Sequence, residues 1–294
     1  MEITLKQLGK IEDISKHCRQ IGVSPDGKYL ALALFSQPDS IVLCDLKGKV
    51  FKRLEGHRGR VHSIEFAADG RTLASASEDR SVRIWSPTGD LQALFDRFDN
   101  AVETISYAND IPILAGGQVD GFIVLFDLAG NYIATLHSPK KRIYSIDWSL
   151  DSSHLAAACG DKNLYLFNIK SQLKTVYLHP GPVYGVSFAN NNGKLVSSCE
   201  DGKLRFINIA EGKIDEIPGH QKRVVDVAFS PDDSLLATAS FDKTVKFFDK
   251  YGTEKGGHEF DSEALSLTFS PDGKRLFVGT VDKHLHIFDI VVQT

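Results

Sequence analysis

Along this chain, three kinds of run follow one another in a fixed order: β-branched and aromatic residues, small apolar residues, then alternating polar and apolar residues, with turn residues between them. The second copy shows the order best, EGHRGRVHSIEFAADGRTLASASEDRSVRIWSPTGDLQALF. Val61 to Phe66 has the composition of a strand, and Asp69-Gly70 supplies a tight turn after it. Leu73 to Ser77 is small and apolar, which suits a strand buried on both faces. Glu78-Asp79-Arg80 makes the next turn, Ser81 to Trp85 alternates, and Thr88-Gly89 leads to an outer strand over Leu91 to Phe95.

Seven such copies end on Asp45, Ser86, Asp127, Asn168, Asn208, Asp249 and Asp289, with gaps of 41, 41, 41, 40, 41 and 40 residues. A fixed period of this size signals supersecondary units that must stack to bury a core. Four antiparallel strands per unit make one propeller blade, so the predicted fold is all-β, a seven-bladed β-propeller in a single domain over residues 1–294. The turn aspartates Asp79, Asp120, Asp161, Asp201, Asp242 and Asp282 each precede a closing position by seven residues. The first copy departs from this, with Pro38 at that register and Asp39 beside it. The last copy ends five residues after Asp289, too early for a fourth strand, while Ile3 to Leu8 is strand-like and precedes the first complete copy. Ile3–Leu8 is therefore expected to complete blade seven and remove the open seam.

Here the chain resembles the WD-repeat β-propeller family. The matching residues are the pairs Gly56-His57 and Gly219-His220, the turn aspartates, and the Trp-Ser or Phe-Asp closings, and the resemblance covers essentially the whole chain. It implies that the turn aspartates orient the histidines and neighbouring backbone. Blade two alone retains a full set, His57, Ser75 or Ser77, Asp79 and Trp85, whereas blade six keeps His220 and Asp242 but has Phe248 in place of the Trp. These residues are read as structural. The resemblance further implies a rigid interaction platform, either a whole protein or a module of a longer one.

Composition narrows the function. A net charge of −4 argues against a whole-molecule electrostatic grip on nucleic acid. Cys18, Cys44, Cys159 and Cys199 form no CxxC pair or zinc spacing. The N-terminus lacks the apolar stretch of a signal peptide, and no apolar run is long enough to span a membrane. The expectation is a reduced, soluble, cytoplasmic protein without membrane insertion.

No catalytic arrangement emerges. The turn aspartates recur once per blade and so lie on a circle rather than converging. His57, His179 and His220 share a structural register, while His137 and His258 fall outside it and read as loop residues. His284 and His286 form an i, i+2 pair with no third ligand evident, so no metal site is expected. GxSxG, HExxH and phosphate-loop motifs are absent, and Gly116-Gly117 reads as a strand substitution. The chain is read as a non-catalytic scaffold with no cofactor and no small-molecule substrate.

The face bearing the turn aspartates is the expected partner surface. Basic clusters fall there in blades two, four and six: Arg58 and Arg60; Lys140, Lys141 and Arg142; Lys222 and Arg223. Arg80, Lys162 and Lys243 follow the turn aspartates of the same blades, and Tyr144, Tyr184 and Phe241 lie nearby. Arginine beside aromatic residues is the composition of binding hot spots, and the guanidinium fork matches carboxylate and phosphate. The predicted partner is a protein in a larger complex, contacted through an acidic or phosphorylated segment. The candidate binding residues are Arg60, Arg80, Lys141, Arg142, Tyr144, Lys162, Tyr184, Arg223, Phe241 and Lys243. The alternative is a single-stranded nucleic-acid or RNP-associated module using the same aromatic residues.

Overall fold

The structure, a computed structural model, describes residues 2–11, 17–35, 41–137, 141–191 and 193–293. Pro38, Asp39, Lys140 and Asn192 lie outside the described residues. Among the described residues there are 28 strands and no helix. Five four-stranded antiparallel sheets form blades one to five in chain order, and one eight-stranded sheet holds blades six and seven.

That larger sheet exists because of the N-terminus. Glu2–Ile11 runs antiparallel along Leu285–Gln293, from Glu2 opposite Gln293 to Ile11 opposite Leu285. It also touches Glu254–Glu259, the outer strand of blade six, through one parallel bridge between Ile3 and Gly256. The first strand therefore completes blade seven as expected, and ties it to blade six. Ile3 is buried within the cluster formed by Phe247, Phe260, Phe269 and Phe288.

The core lies between blades, not within them. Seven hydrophobic clusters occur, one at each blade interface. The one joining Phe277, Leu285 and Ile287 to Cys18, Leu30 and Leu32 closes the ring between blades seven and one. Each second strand is sandwiched between two neighbours, which explains why its residues are small: Leu73–Ser77 is buried throughout. Gly116 and Gly117 serve this packing, since a Cβ at Gly117 would come 2.8 Å from Ile143 Cγ2. The four cysteines are buried.

Innermost strands present an edge to the central channel with no further strand to pair it, a liability that sheets must manage. Here side chains of one blade bond the backbone of the next. Gln20 Oε1 accepts the Ile64 amide at 2.8 Å, Ser63 Oγ that of Ile105 at 3.1 Å, and Asp226 Oδ2 that of Leu267 at 2.8 Å. One layer deeper, Asp147 Oδ2 accepts the Phe188 amide at 2.7 Å and Glu65 Oε2 that of Tyr107 at 3.3 Å.

Candidate functional site, the mouth of the central channel

Each innermost strand carries a β-bulge at the same place. The antiparallel register shifts between its first and third residues in all seven blades. A bulge leaves its extra residue unpaired and re-aims the side chain. The seven bulged residues, Arg19, His62, Glu103, Tyr144, Tyr184, Val225 and Leu265, all line a cavity of about 320 Å³ at the mouth of the channel. Arg142, Arg223 and Phe241 complete its wall.

Charge in this ring is partly matched internally. Glu103 is 2% exposed. It accepts a 2.8 Å bond from Arg19 Nη2 and has Arg142 Nη1 at 3.7 Å. His62 Nδ1 stands 3.9 Å from Glu103 Oε2, too far to bond, and both atoms lack a hydrogen-bond partner. Burial pushes the His62 imidazole below its ordinary pKa. Tyr144 and Tyr184 pack with ring centroids 4.7 Å apart. Arg223 lies 3.6 Å above the Phe241 ring and 5.6 Å from that of Tyr184. Among the described residues no carboxylate comes within ion-pair distance of Arg223.

The ten residues expected to bind a partner divide into two groups. Arg142, Tyr144, Tyr184, Arg223 and Phe241 converge on the mouth. Arg60 stands outside it, 3.5 Å from Glu78 and 4.2 Å over the Phe35 ring. Lys141, Arg80, Lys162 and Lys243 are exposed away from the cavity. The last three share a left-handed backbone, with φ of 65°, 76° and 73°, at the position where Gly121 and Gly202 stand in other blades. Their recurrence thus follows turn geometry as much as charge. Arg19, His62 and Glu103 were missed because the bulge carries them inward one residue later than the strand start. Their sequence signal is the second residue of each innermost strand.

Three carboxyl groups have raised pKa, Asp226 in the wall of the mouth and Asp147 and Glu65 one layer deeper. Desolvation, with the Asp147 charge adding to it, lifts Glu65 to about 8, and desolvation lifts Asp147 and Asp226 to about 7. All three retain some contact with the channel, so they are half-buried rather than sealed.

The turn aspartates do different work in different blades. In blade two, Trp85 Nε1 donates to Ser75 Oγ at 2.8 Å, and Ser75 lies 2.8 Å from His57 Nε2. His57 Nδ1 lies 2.9 Å from Asp79 Oδ2. The consistent assignment is a relay in which Ser75 donates to a neutral His57, which donates to Asp79. Ser75 rather than Ser77 is the relay member; Ser77 Oγ accepts the Asp79 amide instead. Blade six keeps the hydroxyl–histidine–aspartate part, with Thr238 in the serine position and Phe248 in place of the Trp donor. Elsewhere the histidine is replaced as the partner of the turn aspartate: Asn100 serves Asp120, Tyr165 serves Asp161, and Arg205 serves Asp201.

Two expectations about the histidines need correction. His137 and His258 are not in loops but on the outer strands Tyr132–His137 and Glu254–Glu259. The outer strand runs on past the point where the pattern of small residues ends. A third potential ligand does stand beside His284 and His286: ligand atoms of Asp282, His284 and His286 lie within 4.8 Å of one another. Lys283, at a left-handed φ of 69°, turns the chain between Asp282 and His284.

Seven blades with recurrent turn aspartates, closed by the first strand and retaining the Trp–Ser–His–Asp relay, define a WD-repeat β-propeller. The family model described as IFT122 first beta-propeller matches residues 17–289, and the chain belongs to this β-propeller family. It is 24% identical over a 320-residue alignment to the Periodic tryptophan protein 2 homolog of Dictyostelium discoideum, covering 98% of this chain and 34% of that protein. It is likewise 24% identical to the Guanine nucleotide-binding protein subunit beta-1 of Nicotiana tabacum, covering 95% of this chain and 78% of that one. Autophagy-related protein 16 of Arabidopsis thaliana is 22% identical, covering 86% of the chain and 52% of its own length. The chain thus spans about a third of the first relative and half of the third. Among the described residues no helix is long and apolar enough to cross a membrane.

Proposed function

We propose that this propeller is a non-catalytic protein-interaction scaffold whose channel mouth binds an acidic or phosphorylated segment of a partner. The coarse reading, a scaffold, is supported by the WD-repeat relatives, one of which is by name a subunit. The finer one rests on Arg223. Its guanidinium is held against the Phe241 and Tyr184 faces, with no protein carboxylate in reach among the described residues. Held this way, its fork is available to an incoming carboxylate or phosphate at little entropic cost. Arg142, whose side chain is 47% exposed, supplies a second cation once an acceptor competes with the 3.7 Å contact to Glu103.

The test is a peptide array of acidic, phosphorylated and neutral segments, read with wild type, Arg223→Gln and Arg60→Gln. The reading requires acidic or phosphorylated peptides to bind wild type and Arg60→Gln but to lose about tenfold or more with Arg223→Gln. Equal binding by Arg223→Gln sinks it. Binding of single-stranded RNA or DNA with a steep salt dependence and no peptide selectivity would instead support the nucleic-acid reading.

A further inference from the structure

We propose that Asp282, His284 and His286 form a divalent metal site on blade seven, of the kind that zinc, cobalt or nickel occupies. The segment reads Asp-Lys-His-Leu-His; Lys283 turns through a left-handed φ of 69° between Asp282 and His284, and that turn sets the carboxylate beside the two imidazoles. One ligand atom from each of the three lies within 4.8 Å of the others.

Three observations separate this cluster from an ordinary ion pair. His284 Nδ1 lies 2.9 Å from Asp282 Oδ2, yet this buried nitrogen makes no hydrogen bond. The two atoms touch without an aligned hydrogen bond, so both can turn to a shared ion. His286 Nε2 has only a long 3.3 Å contact to Thr280 Oγ1. Thr280 instead gives its hydroxyl to Asp282 Oδ1, leaving Oδ2 available and the carboxylate oriented. Such outer-shell bonds fix ligands in metal sites.

The comparison with other blades points the same way. At the register where His57 and His220 serve their turn aspartates, blade seven has Phe260. Phe260 cannot bond Asp282, but its ring packs 4.9 Å from that of His286 and steadies the imidazole. Blades two to six each bring a histidine, amide, phenol or guanidinium to the turn aspartate. Blade seven brings two imidazoles from its own strand.

Metal bonds near 2.1 Å in a tetrahedral site place ligand atoms about 3.4 Å apart; here the Asp282–His284 pair stands at 2.9 Å and all three ligand atoms lie within 4.8 Å, so small side-chain rotations bring them to that spacing. Asp282 and His284 precede the regular strand, where side-chain rotation is easy. Two imidazoles and one carboxylate suit borderline first-row ions and leave one position for water. Lys10 lies opposite His286 on the N-terminal strand, and its charge opposes a bound cation.

Untagged, chelator-treated full chain would be titrated with Co(II), read by visible d–d absorption, and then with Zn(II) as competitor. Saturation at one equivalent, displaced by Zn(II), is expected. Asp282→Asn and His284→Ala should each weaken it about tenfold or more. Metal-free melting temperatures, recorded in parallel, show that each variant is folded, and Asp282→Asn keeps an acceptor for the Thr280 hydroxyl. The absence of a saturable one-equivalent signal, or its persistence in both variants, overturns the proposal.

Discussion

Gly256 faces Ile3 so closely across the seam between blades six and seven that a Cβ on the glycine would collide with the Ile3 carbonyl oxygen. Gly256 also has φ of +129°, a conformation that L side chains rarely adopt. This single bridge joins the first strand to blade six, while the same strand pairs along its length with the end of the chain. The seam therefore depends on a backbone position that only glycine fits.

Gly256→Val should destabilise the propeller by about 2–4 kcal/mol, through backbone strain and lost contact at Ile3. Deleting residues 1–10 should cost more, because it removes a whole strand and leaves Leu285–Gln293 as an open edge. Thermal unfolding of both variants checks this. An unchanged midpoint for the truncation would mean that the first strand does not hold the ring closed.

Ser75 lies between the Trp85 indole and His57 and serves both. Ser75→Ala leaves a buried donor and a buried acceptor without partners, so a loss of about 2–4 kcal/mol is expected. Ser77→Ala removes only a bond to the Asp79 amide and should cost about 1 kcal/mol. Denaturant unfolding of the two variants side by side distinguishes them, and equal losses would contradict the relay.

Glu65 makes stability fall as pH rises from the ordinary glutamate range to about 8. Its folded pKa is raised to about 8, chiefly by burial. Between the ordinary glutamate pKa and about 8 the unfolded chain releases a proton that the folded chain keeps, so stability falls as pH rises through that window. Glu65→Gln should therefore gain stability relative to wild type on going from pH 4 to pH 8, by about 1–3 kcal/mol given the group's contact with the channel. A pH-independent difference in melting temperature would contradict this.

His179 acts on the acid side. Burial lowers its pKa to about 4, with Ser197 Oγ 2.8 Å from Nε2 and the Tyr177 carbonyl 3.0 Å from Nδ1. Below about pH 6.5 the unfolded chain takes up a proton that the folded chain refuses, so stability is lost progressively from there to about pH 4. His179→Gln lowers stability at neutral pH but should flatten this slope by about 2–3 kcal/mol across the window. Urea unfolding at pH 7 and pH 4.5 measures the difference.

What was legible in the sequence was what repeats. The 41-residue period, the small residues of Leu73–Ser77, the Asp69-Gly70 turn and the missing fourth strand after Asp289 set the blade count and the closure by Ile3–Leu8, because each is a local consequence of packing one blade on the next. The family resemblance implied that Asp79 and Asp242 serve His57 and His220, while the choice of Ser75 over Ser77 and the part of Thr238 came from the structure. Only the tertiary structure decided which side chains meet. Arg19, His62 and Glu103 reach the mouth through a bulge, a shift in pairing register that leaves no fixed residue signature. Arg60 occupies the same sequence register as Arg142 and Arg223 at the cavity, yet stands outside it, because it is drawn to Glu78 and Phe35. Local pattern encodes the blade. The ring juxtaposes residues some 40 positions apart, and that juxtaposition makes the mouth a site.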